Sequence, residues 1–62
     1  MWVVFVTDGP GGSAGWLSFN NAGVPRVHDS KRWVERFADE RGARSCAQLM
    51  GGMGWTAEAR CI

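Results

Sequence analysis

Residues 39–62 read DERGARSCAQLMGGMGWTAEARCI, and two different hydrophobic periods meet within them. In the first half, small and apolar residues return at intervals of three and four, as on the buried face of a helix; they are Ala43, Cys46, Ala47 and Met50. Asp39 supplies an N-cap and Gly51-Gly52 a stop. The second half alternates instead, which is typical of a strand; its predicted inward residues are Trp55, Ala57, Ala59 and Cys61. The stretch therefore predicts a helix followed by a strand that packs beneath it.

The first twenty residues predict two strands joined by a loop. Residues 1–7 are β-branched and aromatic with few polar interruptions, which favours a central strand covered on both faces. Residues 8–15 are rich in glycine and contain a proline, so we expect a flexible hairpin loop without regular structure. Residues 15–20 alternate, with Leu17 and Phe19 on a dry face and Trp16 on the opposite face.

The middle of the chain allows two interpretations. In the first, residues 21–25 form a turn, Asp29-Ser30 cap a short helical turn within residues 31–34, and residues 36–38 form a short third strand. In the second, residues 30–41 form a full helix with Trp33, Phe37 and Arg41 along one face. The first interpretation is preferred, and the second stays open.

Together these elements predict a single α+β domain over residues 1–62. A small antiparallel sheet of three to four strands, in the order βββαβ, would be covered on one face by a single helix. A chain of 62 residues can bury only a small core. It could gain stability by pairing an exposed strand edge with a second copy, so both a monomer and a homodimer stay open, as does which sheet face is exposed.

Charge and the chain start narrow the functional classes. Seven basic and six acidic residues give a net charge of +1, which excludes a strongly acidic mimic of nucleic acid and a strongly basic nucleic-acid binder. No basic segment precedes the first apolar run, and that run is too short for a signal peptide or a membrane span, which indicates a cytoplasmic protein. In a reducing compartment Cys46 and Cys61 are expected as two buried free thiols. A disulfide between them is expected only after export.

No group of residues predicts catalysis. Residues 9–14 satisfy a G-x-G-x-x-A pattern but precede a strand, so no helix N-terminus is there to hold a pyrophosphate. His28 is followed directly by Asp29 and Ser30, and adjacent side chains point apart, which favours a solvent-facing turn histidine with Asp29 as a cap. A metal site from His28, Cys46 and Cys61 lacks a closely spaced ligand pair. We therefore expect a protein that is not an enzyme and has no cofactor or metal.

Basic and tryptophan residues instead predict a binding surface. Six of the seven basic residues lie between positions 26 and 44, beside Trp33. Tryptophan and arginine are the residues that most often anchor protein interfaces. The predicted partner-binding residues are Trp16, Arg26, Lys31, Arg32, Trp33 and Arg36. Trp55 is expected in the core, whereas for Trp2 and Trp16 core and interface stay equally open.

Several strings of the chain carry a resemblance that spans nearly its whole length; they are Gly15-Trp16-Leu17, Gly23, Val27-His28-Asp29, Arg36-Phe37-Ala38, Asp39-Glu40, Ala43 and Gly54-Trp55. In these residues the chain resembles small phage and prophage proteins of βββαβ type, among them anti-CRISPR and other host-takeover inhibitors. The resemblance implies a non-catalytic inhibitor in the bacterial cytoplasm that binds and occludes a surface of a host defence complex, with a CRISPR effector subunit as the leading target. The alternative is a small DNA-binding accessory domain that uses its sheet face and the same basic residues.

Overall fold

Four strands and one helix build the fold, and a computed structural model describes all of residues 1–62. The elements are β1 (Trp2–Asp8), β2 (Gly15–Phe19), β3 (Pro25–His28), α1 (Glu40–Gly52) and β4 (Thr56–Cys61). The strands form one sheet in the order β3-β2-β1-β4, and every neighbouring pair is antiparallel. The helix packs against β1 and β4 on one face. The predicted α+β class, the βββαβ order and the single covering helix are confirmed.

The central strand is β1, and it is buried on both faces as its sequence predicts. Val4 and Val6 point toward the helix and join a cluster of six buried residues; the others are Leu17, Ala43, Cys46 and Met50. Val3 points the other way and is also fully buried. Burying the three valines of β1 completely contributes about 1.5–3 kcal/mol each, so this strand supplies much of the stability of a small domain.

The helix begins and ends where its sequence predicts. The Asp39 carboxylate accepts a hydrogen bond of 2.8 Å from the Gly42 N–H and so satisfies one free donor of the first turn. The helix ends at Gly52. In β4, Ala57 and Ala59 are half-buried against the core as expected. Cys61 is exposed, so its predicted inward place is wrong, because it is the last residue of the strand and the core does not reach it.

The third strand lies earlier in the chain than predicted. It is Pro25–His28, which pairs with β2, whereas residues 36–38 contribute only one isolated bridge, between Phe37 and Trp2. The Asn20 side chain accepts hydrogen bonds from the N–H groups of Ala22 and Val24, at 2.9 and 3.0 Å. This tight turn reverses the chain at once, so the residues after it are the first that can pair with β2.

The structure decides between the two interpretations of residues 30–41 in favour of the short helical turn, and it corrects the prediction for the loop before β2. Residues 30–41 do not form one continuous helix. α1 begins only at Glu40, and in the segment before it only Lys31–Trp33 is helical, as a short 3-10 turn. Its cap is the Ser30 hydroxyl, which accepts from the Arg32 N–H at 3.2 Å, and not Asp29. The loop before β2 is ordered by a second 3-10 turn at Pro10–Gly12, where the Ser13 hydroxyl donates to the Pro10 carbonyl at 2.7 Å. The expectation of a loop without regular structure is therefore wrong.

Candidate binding surface

The sheet face opposite the helix, which we call the outer face, carries a row of side chains from all four strands. His28 pairs with Trp16 across β3 and β2, Trp16 with Phe5 across β2 and β1, and Phe5 with Glu58 across β1 and β4. Directly paired residues in an antiparallel sheet point to the same face and lie side by side. The open question of which face is exposed is thus answered in part: α1 covers one face, and this row, of which Glu58 is exposed and the other three residues are half-buried, lies on the other.

Two aromatic rings form the centre of the outer face. The Phe5 and Trp16 centroids are 4.8 Å apart with the ring planes at 79°, an edge-to-face contact. The Arg60 guanidinium carbon lies 4.0 Å from the Phe5 centroid, and its Nε donates to a Glu58 carboxylate oxygen at 2.9 Å. One end of the aromatic pair is therefore covered by an arginine whose charge is partly neutralised.

The connection after β3 places further residues beside this aromatic pair. The Lys31 Nζ lies 5.3 Å from the Trp16 ring centroid, and the Arg32 guanidinium carbon lies 5.2 Å from that of Trp33. Trp33 is 60% exposed and lines a shallow depression together with Arg26 and His28. Cation–π contacts of this kind hold each cation near an apolar ring without removing its charge.

Backbone contacts fix the connection in place. The Glu35 N–H donates to the Leu17 carbonyl at 2.8 Å, and Phe37 exchanges two backbone hydrogen bonds with Trp2, at 2.7 and 3.1 Å. Val34 is buried, although it is not part of the helix-side core cluster. The segment that carries Lys31 and Trp33 is therefore anchored at its end to both β1 and β2.

The cations of this region have no carboxylate partner. The structure contains two ion pairs, Arg44 with Glu40 on the helix and Arg60 with Glu58 on β4. The basic residues between positions 26 and 36, in contrast, are all exposed, and none of them forms an ion pair; they are Arg26, Lys31, Arg32 and Arg36. Although Asp29 and Glu35 lie in the same stretch of sequence, these four positive charges remain unneutralised by direct contact.

Most of the predicted binding residues come together, and some contributors were missed. Trp16 contacts Lys31, Arg32 contacts Trp33, and Arg26 lines the same depression as Trp33. Arg36 is exposed, but no contact joins it to this group. Phe5 and Arg60 also belong to this surface and were not among the predicted binding residues, although alternation along β1 and β4 places both on the face opposite the core.

The catalytic candidates occupy different surroundings from those expected. His28 is half-buried within β3 beside Trp16, so it is not a solvent-facing turn residue. No group of three or more histidine, cysteine, aspartate or glutamate side chains lies close enough to hold a metal ion.

The 13-residue helix is too short to cross a membrane.

Comparison with known proteins found no matching family model, no matching curated protein and no matching solved structure.

The two cysteines differ in exposure and should differ in reactivity. Cys46 is buried and Cys61 exposed, and both are free, which corrects the expectation of two buried thiols. Burial raises the pKa of the Cys46 thiol above its ordinary value of 9.0, and the nearby negative charge of Glu35 raises it further. The reactive thiolate of Cys46 is therefore suppressed in the folded protein.

We expect iodoacetamide to alkylate Cys61 rapidly and Cys46 only when the domain opens, as measured by mass spectrometry. The raised pKa also makes stability depend on pH, because the Cys46 thiol ionises at a lower pH in the unfolded chain than in the folded protein. The contribution of the Cys46 thiol to the free energy of unfolding is fully present below pH 9.0. It is lost as the pH rises from 9.0 to the raised pKa of this thiol in the folded protein. Cys46→Ala should remove this alkaline component and Cys61→Ser should not. Rapid alkylation of both thiols in the folded protein would contradict the assignment.

Proposed function

We propose that this protein is a binding protein that docks its outer face onto an acidic surface of a partner protein. The main support is the group formed by Trp16, Lys31, Arg32 and Trp33, in which exposed cations lie against aromatic rings and have no carboxylate partner. Tryptophan and arginine are enriched at the energetic centres of protein interfaces, and unpaired cations are attracted to acidic residues.

The geometry also lowers the cost of binding. Lys31 is held near Trp16, and its segment is anchored through the backbone of Glu35 and Phe37. Ordering a long, flexible side chain at an interface costs about 0.5–1.5 kcal/mol. A lysine that already rests against a ring has lost part of this freedom before the partner arrives, so more of the contact energy is available for affinity.

The more specific form of the proposal follows from the resemblance to small phage inhibitors. The partner would be a host defence complex, with a CRISPR effector subunit as the leading target, in the cytoplasm of a bacterial host. The protein would act by covering a surface that the complex needs for its own interactions. Such a role requires no catalytic group, and it fits a small domain whose exposed chemistry is aromatic and cationic.

A matched pair of charge reversals tests the proposal. Lys31→Glu and Arg41→Glu each change the net charge by the same amount at an exposed, unpaired site, but Arg41 lies on the helix, which covers the opposite sheet face. In bacteria with an active CRISPR system, the wild-type protein should protect a targeted plasmid. Lys31→Glu should reduce the affinity for the purified effector complex at least about tenfold, because removing one partner of a charge pair buried at an interface costs about 2–5 kcal/mol. Arg41→Glu should bind like the wild type.

Two outcomes would overturn parts of this proposal. If Lys31→Glu and Arg41→Glu weaken binding equally, the outer face is not the contact surface. If the wild-type protein neither protects the plasmid nor binds any effector complex, the defence target is wrong.

The four unpaired cations also favour a second candidate, a DNA-binding accessory domain. Phosphate contacts need such unneutralised cations, and binding through them weakens steeply with salt. Against this candidate, Arg60 lies over the Phe5 ring and Lys31 over the Trp16 ring, so cations already occupy positions where bases could stack. A gel shift with duplex DNA across a salt series separates the two, because the inhibitor predicts little affinity for free DNA even at low salt.

A further inference from the structure

The sheet has two edges, and they differ in how well they are protected from pairing with another strand. The β3 edge is four residues long and begins with Pro25, which cannot donate a backbone hydrogen bond. The β4 edge is six residues long and contains no proline. The irregularity in the β1–β4 ladder falls between Val6 and Asp8, at the start of β4, so the rest of that edge is regular. Edges of this kind are templates for a further strand.

The backbone groups that point out of the β4 edge can be identified. The Ile62 N–H donates to the Met1 carbonyl at 2.8 Å, and the Met1 amino group lies 3.4 Å from the Ile62 carbonyl oxygen, so the backbone of Ile62 points toward β1. Backbone groups alternate in direction along a strand. Those of Glu58 and Arg60 therefore also point toward β1, and the unpaired groups at the free edge are those of Ala57, Ala59 and Cys61.

We propose that β4 pairs with β4 of a second copy of this chain, antiparallel and centred on Ala59, to form a two-fold symmetric dimer. In this register Ala59 faces Ala59 of the partner subunit, and Ala57 faces the partner's Cys61, so all three outward-pointing residues exchange backbone hydrogen bonds. Glu58 then faces the partner's Arg60, and the two-fold axis makes this contact twice. Residues that alternate with the hydrogen-bonded pairs have the closest side chains in an antiparallel ladder, about 4.5 Å between Cα atoms.

Charge selects this register over its neighbours. Shifting the centre to Glu58 would place two glutamates opposite each other, and shifting it to Arg60 would place two arginines opposite each other. Like charges directly opposed across a ladder are destabilising, whereas opposite charges contribute about 0.2–1 kcal/mol. Centring on Ala59 is therefore complementary at both charged positions and uses the whole strand. The charged side chains of Glu58 and Arg60 disfavour pairing with an unrelated strand, but they are complementary to the same residues in a second copy of β4.

The dimer would be compatible with the rest of the fold. The two-fold axis runs perpendicular to the sheet, so both helices lie on one side and both outer faces on the other. The sheet becomes continuous over eight strands, and the two copies of the outer face lie side by side. This proposal rests on the β4 edge alone, and its test contains no partner protein, so it can fail or succeed independently of the proposed function.

Sedimentation equilibrium of charge variants tests the register. The wild type should form a dimer at high concentration, whereas Glu58→Arg and Arg60→Glu should each dissociate at least about tenfold more readily, since like charges then meet twice. The double variant Glu58→Arg/Arg60→Glu should dimerise again. An equimolar mixture of the two single variants should also dimerise, because each arginine of one chain then faces a glutamate of the other. Mixing cannot restore the pair within one chain, so this result isolates the contact between chains.

Each alternative result overturns the proposal. A wild type that stays monomeric at every concentration would exclude the dimer. Single variants that dimerise like the wild type, or a mixture that stays monomeric, would exclude this register. Arg41→Glu serves as a charge control on the helix and should leave the dimer unchanged. Far-UV circular dichroism checks that each variant is folded, and if a single variant unfolds, the double variant still tests the register.

Discussion

Leu17→Ala should lower the free energy of unfolding by about 2–5 kcal/mol, the range for truncating a buried leucine. Leu17 is fully buried and joins β2 to the valines of β1 and to the helix. A domain of this size rarely has more than about 3–5 kcal/mol of stability. We therefore expect a large unfolded population at 25 °C in the absence of denaturant, measured by urea unfolding followed by circular dichroism.

The matched control for this prediction is Leu49→Ala. The chemical change is identical, but Leu49 is 69% exposed on the helix, where substitutions away from specific contacts change stability by no more than about 0.5 kcal/mol. If both variants lose the same stability, the assignment of Leu17 to the core is wrong.

Gly15→Ala should also destabilise the domain, by about 1–3 kcal/mol, the usual cost of inserting atoms into a packed site. A Cβ at Gly15 would lie 2.9 Å from the His28 carbonyl carbon and 3.1 Å from a methyl group of Val27. The backbone of β3 cannot yield without losing its pairing with β2. Because Trp16 follows directly, this substitution should also disturb the outer face.

Gly51→Ala is the control for this second prediction. Nothing lies within 4 Å of a Cβ at Gly51, and alanine favours a helix over glycine by about 1 kcal/mol. Thermal unfolding should therefore show a lower midpoint for Gly15→Ala and an equal or higher midpoint for Gly51→Ala. A Gly15→Ala variant as stable as the wild type would show that β2 and β3 are less closely packed than described.

Local signals predicted some elements of this fold and failed for others. The helix was predictable because its cap at Asp39, its period and its glycine stop all agree. β3 was missed because it has four residues and starts with Pro25, which argues against a strand unless the strand lies at an edge. Residues 36–38 were predicted as a short strand, but the only ladder partner of Phe37 is Trp2.

The candidate surface was likewise predictable only in part from the sequence. Trp16, Lys31 and Trp33 were predicted from residue type and position along the chain. Their contacts depend on how residues 31–37 return to β1 and β2, which no local pattern determines. Phe5 and Arg60 are far apart in sequence and meet only because β4 pairs with β1. Their contribution could not be found by looking for clusters of basic residues.

Hydroxyl-radical footprinting with a purified CRISPR effector complex shows directly whether the outer face is the binding surface. Trp33 is 60% exposed on that face, and Met53, at the C-terminal end of the helix, is 53% exposed, so both side chains should be oxidised in the free protein. On binding, we expect strong protection of Trp33 and unchanged oxidation of Met53. Protection of Met53 with no change at Trp33 would contradict it.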